Sequence, residues 1–228
     1  MPIGLSIDTK YPSISHEAIY QYIYADWREG IKLLARKRPY RYPKGLKCGR
    51  KKPMIKNRVS IDERPLAIND RKEAGHWECD LIICDGSKTS IQVLHERVSR
   101  FVQLSLIPDR RAKTAKEAII KNLSALPKQA TKSITYDNGS ENYSHEEVNK
   151  ELRTKSFFCN PYHSWEKGAV ENTNGLIRRW VPKKMNLSLI TKKQIKEIED
   201  RLNERPRKAL GFKTPNEAFY SLYGASPP

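Results

Sequence analysis

Three carboxylates stand out by where they fall: Asp80, Asp137 and Glu171. Asp80 interrupts an apolar, strand-like run, Trp77-Glu78-Cys79-Asp80-Leu81-Ile82-Ile83. Asp137 closes a second run, Ser133-Ile134-Thr135-Tyr136-Asp137, directly before Asn138-Gly139. Glu171 comes after 33 intervening residues, in a stretch of helical periodicity. A charged carboxylate in a strand that otherwise reads as buried is costly unless it is paired or bound to metal. Asn-Gly is tight-turn chemistry, and it leaves Asp137 at a strand's carboxyl end, where α/β sheets place ligands. Three such acids, once brought together, can hold two divalent cations for phosphodiester chemistry. Hard oxygen donors without a soft-ligand cluster select Mg2+, with Mn2+ able to substitute, over zinc. Asp80, Asp137 and Glu171 are thus the expected catalytic and metal-ligating residues. The neighbouring acids Glu78, Asp85, Glu141 and Glu166 read as surface or supporting groups.

The surroundings are basic. The 228 residues carry a formal net charge of +17, and the stretch from Arg28 to Lys72, with 16 Lys/Arg against 4 Asp/Glu, supplies +12 of it. Such a block binds phosphate through counterion release; the plainer reading is a solvated linker. Acids grouped for metal within a basic chain point to an enzyme that cuts or joins nucleic acid. Expected DNA contacts are Arg36, Lys37, Arg38, Arg50, Lys51 and Lys52 in the block. Lys167, Asn174 and Arg178 share a helical face with Glu171, at i, i+4, i+7 and i+11 from Lys167, and Arg179 follows. Cys48, Cys79, Cys84 and Cys159 form no C-x-x-C pair, and no histidine pair has zinc-finger spacing. Disulfides are not expected, and a reducing cytoplasm fits. No apolar run is long enough to span a membrane, and the first residues lack a signal peptide's apolar core.

The elements that must position these groups follow from pattern. Residues 14–24 read as a helix with Ser15 as its N-cap and an Ile19, Tyr22, Ile23 stripe. Residues 28–72 read as an extended basic linker. Strands are expected at Trp77–Cys84, Ser90–His95, Phe101–Ile107, Ser133–Asp137 and Ser156–Cys159. Helices are expected at Thr114–Leu126, His145–Leu152, from Trp165 or Gly168 to Val181, and at Lys192–Glu204. In the third of these, Val170, Thr173, Ile177 and Trp180 line one face, and Gly168 and Gly175 allow close backbone approach. The order βββ-α-β-α-β-α makes the first three strands an antiparallel meander and the later two parallel additions. The fold class is α/β: a ribonuclease-H-like mixed five-stranded sheet flanked by helices. The expected organisation is a helical remnant of a DNA-binding region at 1–27, a linker at 28–72 and a core at 73–223.

Several motifs together resemble the transposases of the insertion sequence 30 family. They are Gly75-His76-Trp77-Glu78-Cys79-Asp80, Thr135-Tyr136-Asp137-Asn138-Gly139, Asn160-Pro161-Tyr162, Glu171-Asn172-Thr173-Asn174-Gly175 and the run from Arg205-Pro206-Arg207-Lys208 to Thr214-Pro215. The resemblance implies a retroviral-integrase-like catalytic core that uses magnesium. It also implies double-stranded DNA as partner, both the terminal inverted repeats of a bacterial mobile element and target DNA. A homo-oligomer on DNA, in the bacterial cytoplasm with the nucleoid, is implied as well. The implied reaction is in-line displacement at phosphorus, with no covalent protein intermediate. Two departures stand against the pattern. Cys79 replaces the usual glycine; its thiol is small and expected to be tolerated, but also to narrow the space beside the metal. Ser15-His16-Glu17-Ala18-Ile19-Tyr20 resembles only the end of the family's DNA-binding region. The alternatives are a truncated, catalytically idle DNA-binding repressor and a ribonuclease-H-like nuclease that cuts without joining.

Overall fold

The computed structural model describes residues 14–40, 55–161 and 163–224, without the side chains of Ser164 and Trp165. The chain divides into two compact units, Met1–Lys52 and Pro53–Pro228.

In the first unit, Ser15 caps helix α1 (His16–Ala25), its side chain accepting from Ala18 N at 3.1 Å. Of the expected apolar stripe only Ile23 is buried; Ile19 and Tyr22 are 50% and 57% exposed. A 3-10 segment, Arg28–Leu33, follows, and the Tyr24 hydroxyl donates to the Arg38 carbonyl at 3.0 Å. Residues 28–38 therefore fold back on α1 instead of extending.

The second unit is built on one sheet of order β3-β2-β1-β4-β5. The strands are β1 (His76–Ile83), β2 (Ser90–Glu96), β3 (Val102–Ile107), β4 (Ser133–Tyr136) and β5 (Lys155–Phe158). Short turns keep β1, β2 and β3 antiparallel. Strand β4 pairs parallel to β1, and β5 parallel to β4, which requires crossovers. Helices α3 (Ala112–Ser124) and α4 (His145–Leu152) supply them; a one-turn helix α2 (Leu66–Asn69) precedes the sheet. Helices α5 (Gly168–Ile177), α6 (Lys192–Asn203) and α7 (Pro215–Leu222) complete the unit.

The central strand shows why the sheet needs cover on both faces. Successive side chains of β1 alternate between faces. Trp77 and Cys79 pack with Ile119 and Leu123 of α3, Val148 of α4 and Phe219 of α7. Ile82 packs with Val170 and Ile177 of α5 and Ile195, Ile198 and Leu202 of α6. Glu78 and Asp80, spaced evenly with Ile82, therefore face α5. Cys79 points the other way, into the aromatic core, so it does not narrow the space beside Asp80. Burial there pushes its thiol pKa well above the usual range.

Both sheet edges are covered. On β3, the Asn203 side chain pairs with both backbone groups of Val102 (2.9 and 2.8 Å), and Glu199 accepts from Leu104 N at 2.6 Å. On β5, Phe158 N donates to Val59 O at 2.9 Å, and Ser60 forms a bridge to Phe158. This corrects the expectation of a linker reaching Lys72. Residues 55–72 are part of the core, with Ile61, Ile68 and even Arg64 buried. Basic composition hid a few apolar anchors. The glycines of α5 are also corrected: a Cβ on Gly168 or Gly175 would meet nothing within 4 Å, so neither permits a close approach. Trp180, expected on one face with Val170, Thr173 and Ile177, lies beyond the end of α5 at Ile177 and is 36% exposed, whereas those three are buried.

Candidate active site

Strand register brings the two aspartates together. Glu78 stands opposite Thr135 in the parallel β1–β4 pair, and continuing that register sets Asp80 level with Asp137. Asp137 is held by its own turn: its Oδ1 accepts from Gly139 N at 2.9 Å and from Asn142 Nδ2 at 2.8 Å. Asn138 reaches across to the Cys159 carbonyl at 2.8 Å, tying the carboxyl ends of β4 and β5.

A lysine stands between the aspartates. Lys167 Nζ lies 2.9 Å from Asp80 Oδ1 and 3.7 Å from Asp137 Oδ2, and it donates to the Cys79 carbonyl at 3.2 Å. The residue is 5% exposed. Burial alone would lower the ammonium's pKa; the carboxylates of Asp80 and Asp137 outweigh it and raise it above the ordinary lysine value. Asn174 Nδ2 donates to the other Asp80 oxygen at 2.6 Å. Further along the same face, Arg178 donates to the Ile83 carbonyl at 2.8 Å and contacts Cys84 Sγ at 3.3 Å. The polar stripe expected to lie on DNA bonds to β1 in this structure. Lys167, Asn174 and Arg178 are engaged within the protein, while Arg179 is exposed. Arg36, Lys37 and Arg38 are exposed in the first unit, and Arg50, Lys51 and Lys52 lie outside the described residues.

Glu171 sits on α5 between Lys167 and Asn174, both of which bond Asp80, and it is exposed. No group of three His, Cys, Asp or Glu side chains is close enough to hold a metal ion among the described residues. The structure thus brings Asp80 and Asp137 together around Lys167, with Glu171 on the neighbouring helix but in no three-acid cluster among the described residues. Burial first, then the negative charge of Asp137, raises the carboxyl pKa of Glu141. Its position four residues after Asp137, across the Asn-Gly turn, is the sequence signal for it. The oxygen donors of the aspartate pair are of the kind that suits a hard cation, and the Lys167 ammonium lies between them.

Of the two roles expected for Glu78, surface or supporting, the structure shows the second. Glu78 is fully buried, not surface. One of its oxygens pairs with Arg97; the other accepts from Val170 N at 3.0 Å, in the first turn of α5. The carboxylate satisfies an orphan amide of the helix and complements its dipole. Arg97 in turn donates to the Ile68 and Asn69 carbonyls (3.3 and 3.4 Å) of α2, and Arg64 donates to Thr135 Oγ1 at 3.0 Å on β4. A buried ionic network therefore fixes α5, which carries Glu171 and directly follows Lys167, against the strand carrying Asp80.

No protein-family model matches the chain. The chain is 42% identical over 211 residues to the transposase for insertion sequence element IS4351 of Bacteroides fragilis, 92% of this chain and 64% of that protein. It is 38% identical to the transposase for IS1086 of Cupriavidus metallidurans, covering 89% and 61%. With transposase InsI for IS30A of Escherichia coli it shares 36% identity, covering 90% and 55%. The chain spans under two thirds of the length of these relatives. Among solved structures, the catalytic core of BIV integrase matches with a TM-score of 0.52 at 20% identity, over 67% of this chain and 97% of that one. The simian T-cell lymphotropic virus intasome, in complex with the PP2A regulatory subunit B56 gamma, matches with a TM-score of 0.55 at 18% identity, over 67% and 56%. The sheet is therefore the ribonuclease-H-like fold of retroviral integrase cores. Among the described residues no helix is long and apolar enough to cross a membrane. Curated relatives 36–42% identical over about nine-tenths of this chain are transposases of the insertion sequence 30 family, and the chain is similar to them throughout that length.

Proposed function

We propose that this chain carries the catalytic centre of a DDE-type transposase, performing metal-dependent cleavage and strand transfer of DNA at the terminal inverted repeats of an insertion sequence. The observation that carries this reading is the pair Asp80 and Asp137, set side by side by strand register around one buried cation, Lys167. Asp80 and Asp137 would hold the first Mg2+, with Mn2+ able to replace it, and Glu171 would join them from α5. When bound, the metal supplies Lewis-acid activation and charge neutralisation at phosphorus. The chain's own part is positional. Asn142 and the Gly139 amide orient Asp137, Asn174 orients Asp80, and the Glu78–Arg97 pair sets α5. Exposed Arg179 and the basic residues Arg36, Lys37 and Arg38 would meet the DNA backbone, and assembly on DNA would be homo-oligomeric.

The test is incubation of complete element ends with the protein and Mg2+, followed by mapping of products. Cut and joined products, abolished in Asp80→Asn and reduced by orders of magnitude in Glu171→Gln, are expected. Cutting of pre-nicked ends without joining would support a nuclease instead. Binding to the ends without any product, with the fold intact, would support an idle repressor.

A further inference from the structure

The segment Arg205-Pro206-Arg207-Lys208 has no part in the chemistry above, yet the fold gives it a definite place. Asn203, at the end of α6, is fixed to Val102 by its two hydrogen bonds, so the chain leaving α6 runs beside the β2–β3 hairpin that holds Arg100. Arg97 ties the same hairpin to Ile68 and Asn69, two residues before Arg71. Three separate segments thus gather Arg71, Arg100, Arg205 and Arg207. They do so at the amino-terminal end of β1, where Trp77 pairs with Glu96. Asp137 leaves from the opposite end of the sheet. At roughly 3.3 Å per residue, Asp80 lies about 10 Å along β1 from that pair.

The four arginines have no acidic partner among the described residues, and the acids nearby are engaged elsewhere. Glu96 accepts from the amides of Gly75, Val98 and Ser99 (3.0, 2.9 and 2.6 Å). Asp70 pairs with Lys72 at 3.1 Å, and Glu204 accepts from Asn216. Arg207 donates to the Leu202 carbonyl at 3.1 Å, but its buried Nε has no partner. Burial and the neighbouring Arg71 lower the pKa of Arg100; burial, Arg205 and Arg100 lower that of Arg207. Arg71 and Arg100 also sit at positive φ (55° and 61°), where glycine or asparagine would be less strained. Four like charges gathered without a counterion, two on strained backbone, form an arrangement that an anion would relieve. Guanidinium forks match phosphate oxygens.

We propose that this arginine cluster is a second contact for the DNA backbone. It grips phosphates of the double-stranded DNA at the end of the sheet opposite Asp137. The inference rests on the function proposed above and adds a place for DNA beyond the cleavage site.

The experiment uses the full chain and the variant Arg71→Gln/Arg100→Gln/Arg205→Gln. Arg207 is left intact because it bonds the end of α6. Binding of a ~30-bp element-end duplex is followed by anisotropy across a salt series in Ca2+. Loss of three phosphate contacts should lower the slope of log K against log salt by about 2–3, with affinity falling at least ~10-fold at low salt. Thermal melting checks the fold. Should the triple variant melt early, the exposed single variants Arg71→Gln and Arg205→Gln replace it, each expected to lower the slope by about 0.9. An unchanged slope and affinity in a folded variant overturns the proposal. So does preferential, cluster-dependent binding of polyglutamate over the duplex. If the wild type cuts element ends while the arginine variants bind like wild type, this inference alone falls; if the wild type neither binds nor cuts, the proposed function falls with it.

Discussion

At the scale of single residues, Lys167 is the most consequential side chain, because it holds the place between two carboxylates that a divalent cation would take. Lys167→Gln removes the ammonium and leaves Asp80 and Asp137 facing each other. Stability without metal should fall by roughly 2–3 kcal/mol, less than the 3–5 of a fully buried pair because Asp137 keeps its contact with solvent. Mg2+ or Ca2+ should then stabilise the variant more than the wild type, since no resident cation has to be displaced. Paired thermal melts with and without metal read both effects; an equal metal shift in the two proteins would show that the lysine does not compete. A second residue-scale prediction concerns His95, which is buried beneath the arginines with no partner for Nδ1. Burial first, then Arg100, Arg71, Arg97 and Arg207, pushes its pKa down to about 3. A histidine neutral in the fold and protonated when unfolded costs stability as pH drops below the unfolded value of about 6.5. Between pH 7 and 5 that loss is about 2 kcal/mol. Denaturant unfolding at the two pH values should show it, and His95→Asn should lose most of that difference.

At the scale of elements, the placement of α5 depends on Glu78. Glu78→Gln keeps an acceptor for the Val170 amide but strands the charge of Arg97. A loss of about 3–5 kcal/mol is expected, with much of it recovered in Glu78→Gln/Arg97→Met. Hydrogen exchange should rise first in the opening turn of α5; protection unchanged there would mean that the helix is held by its apolar face alone. The same element shows what was legible in sequence. Strand order, crossovers and the aspartate pair follow from period-two runs and an Asn-Gly turn, which are local signals. The partner of Lys167 is not local: a helical face of Lys, Glu, Asn and Arg reads equally well as a DNA contact or as a clasp on a strand. The clasp becomes visible only once Val170 and Ile177 pack on Ile82, a contact between distant parts of the chain. The sequence left Glu78 open between surface and supporting group because its neutralising arginine comes from a hairpin 19 residues away.

At the scale of the whole molecule, residues 55–72 and the basic stretch before them separate in role. Deletion of residues 36–52 should leave the melting of the second unit within a few degrees of wild type while flattening the salt dependence of DNA affinity. Deletion continued through Lys72 removes Ile61, Ile68 and the cover on β5, and it should abolish cooperative unfolding. Equal melting of both truncations would show that the segment is dispensable to the core. The alternation of β1 has a wider consequence. Trp77 and Cys79 belong to one core, Glu78 and Asp80 to the other side, and every ladder partner is set by the same pairing. A slip of one residue would push Asp80 among the aromatic rings and turn Trp77 toward the buried arginine. Register errors therefore do not yield a folded protein with a blunted centre. They yield no fold, so each properly folded copy arrives with its two aspartates already aligned.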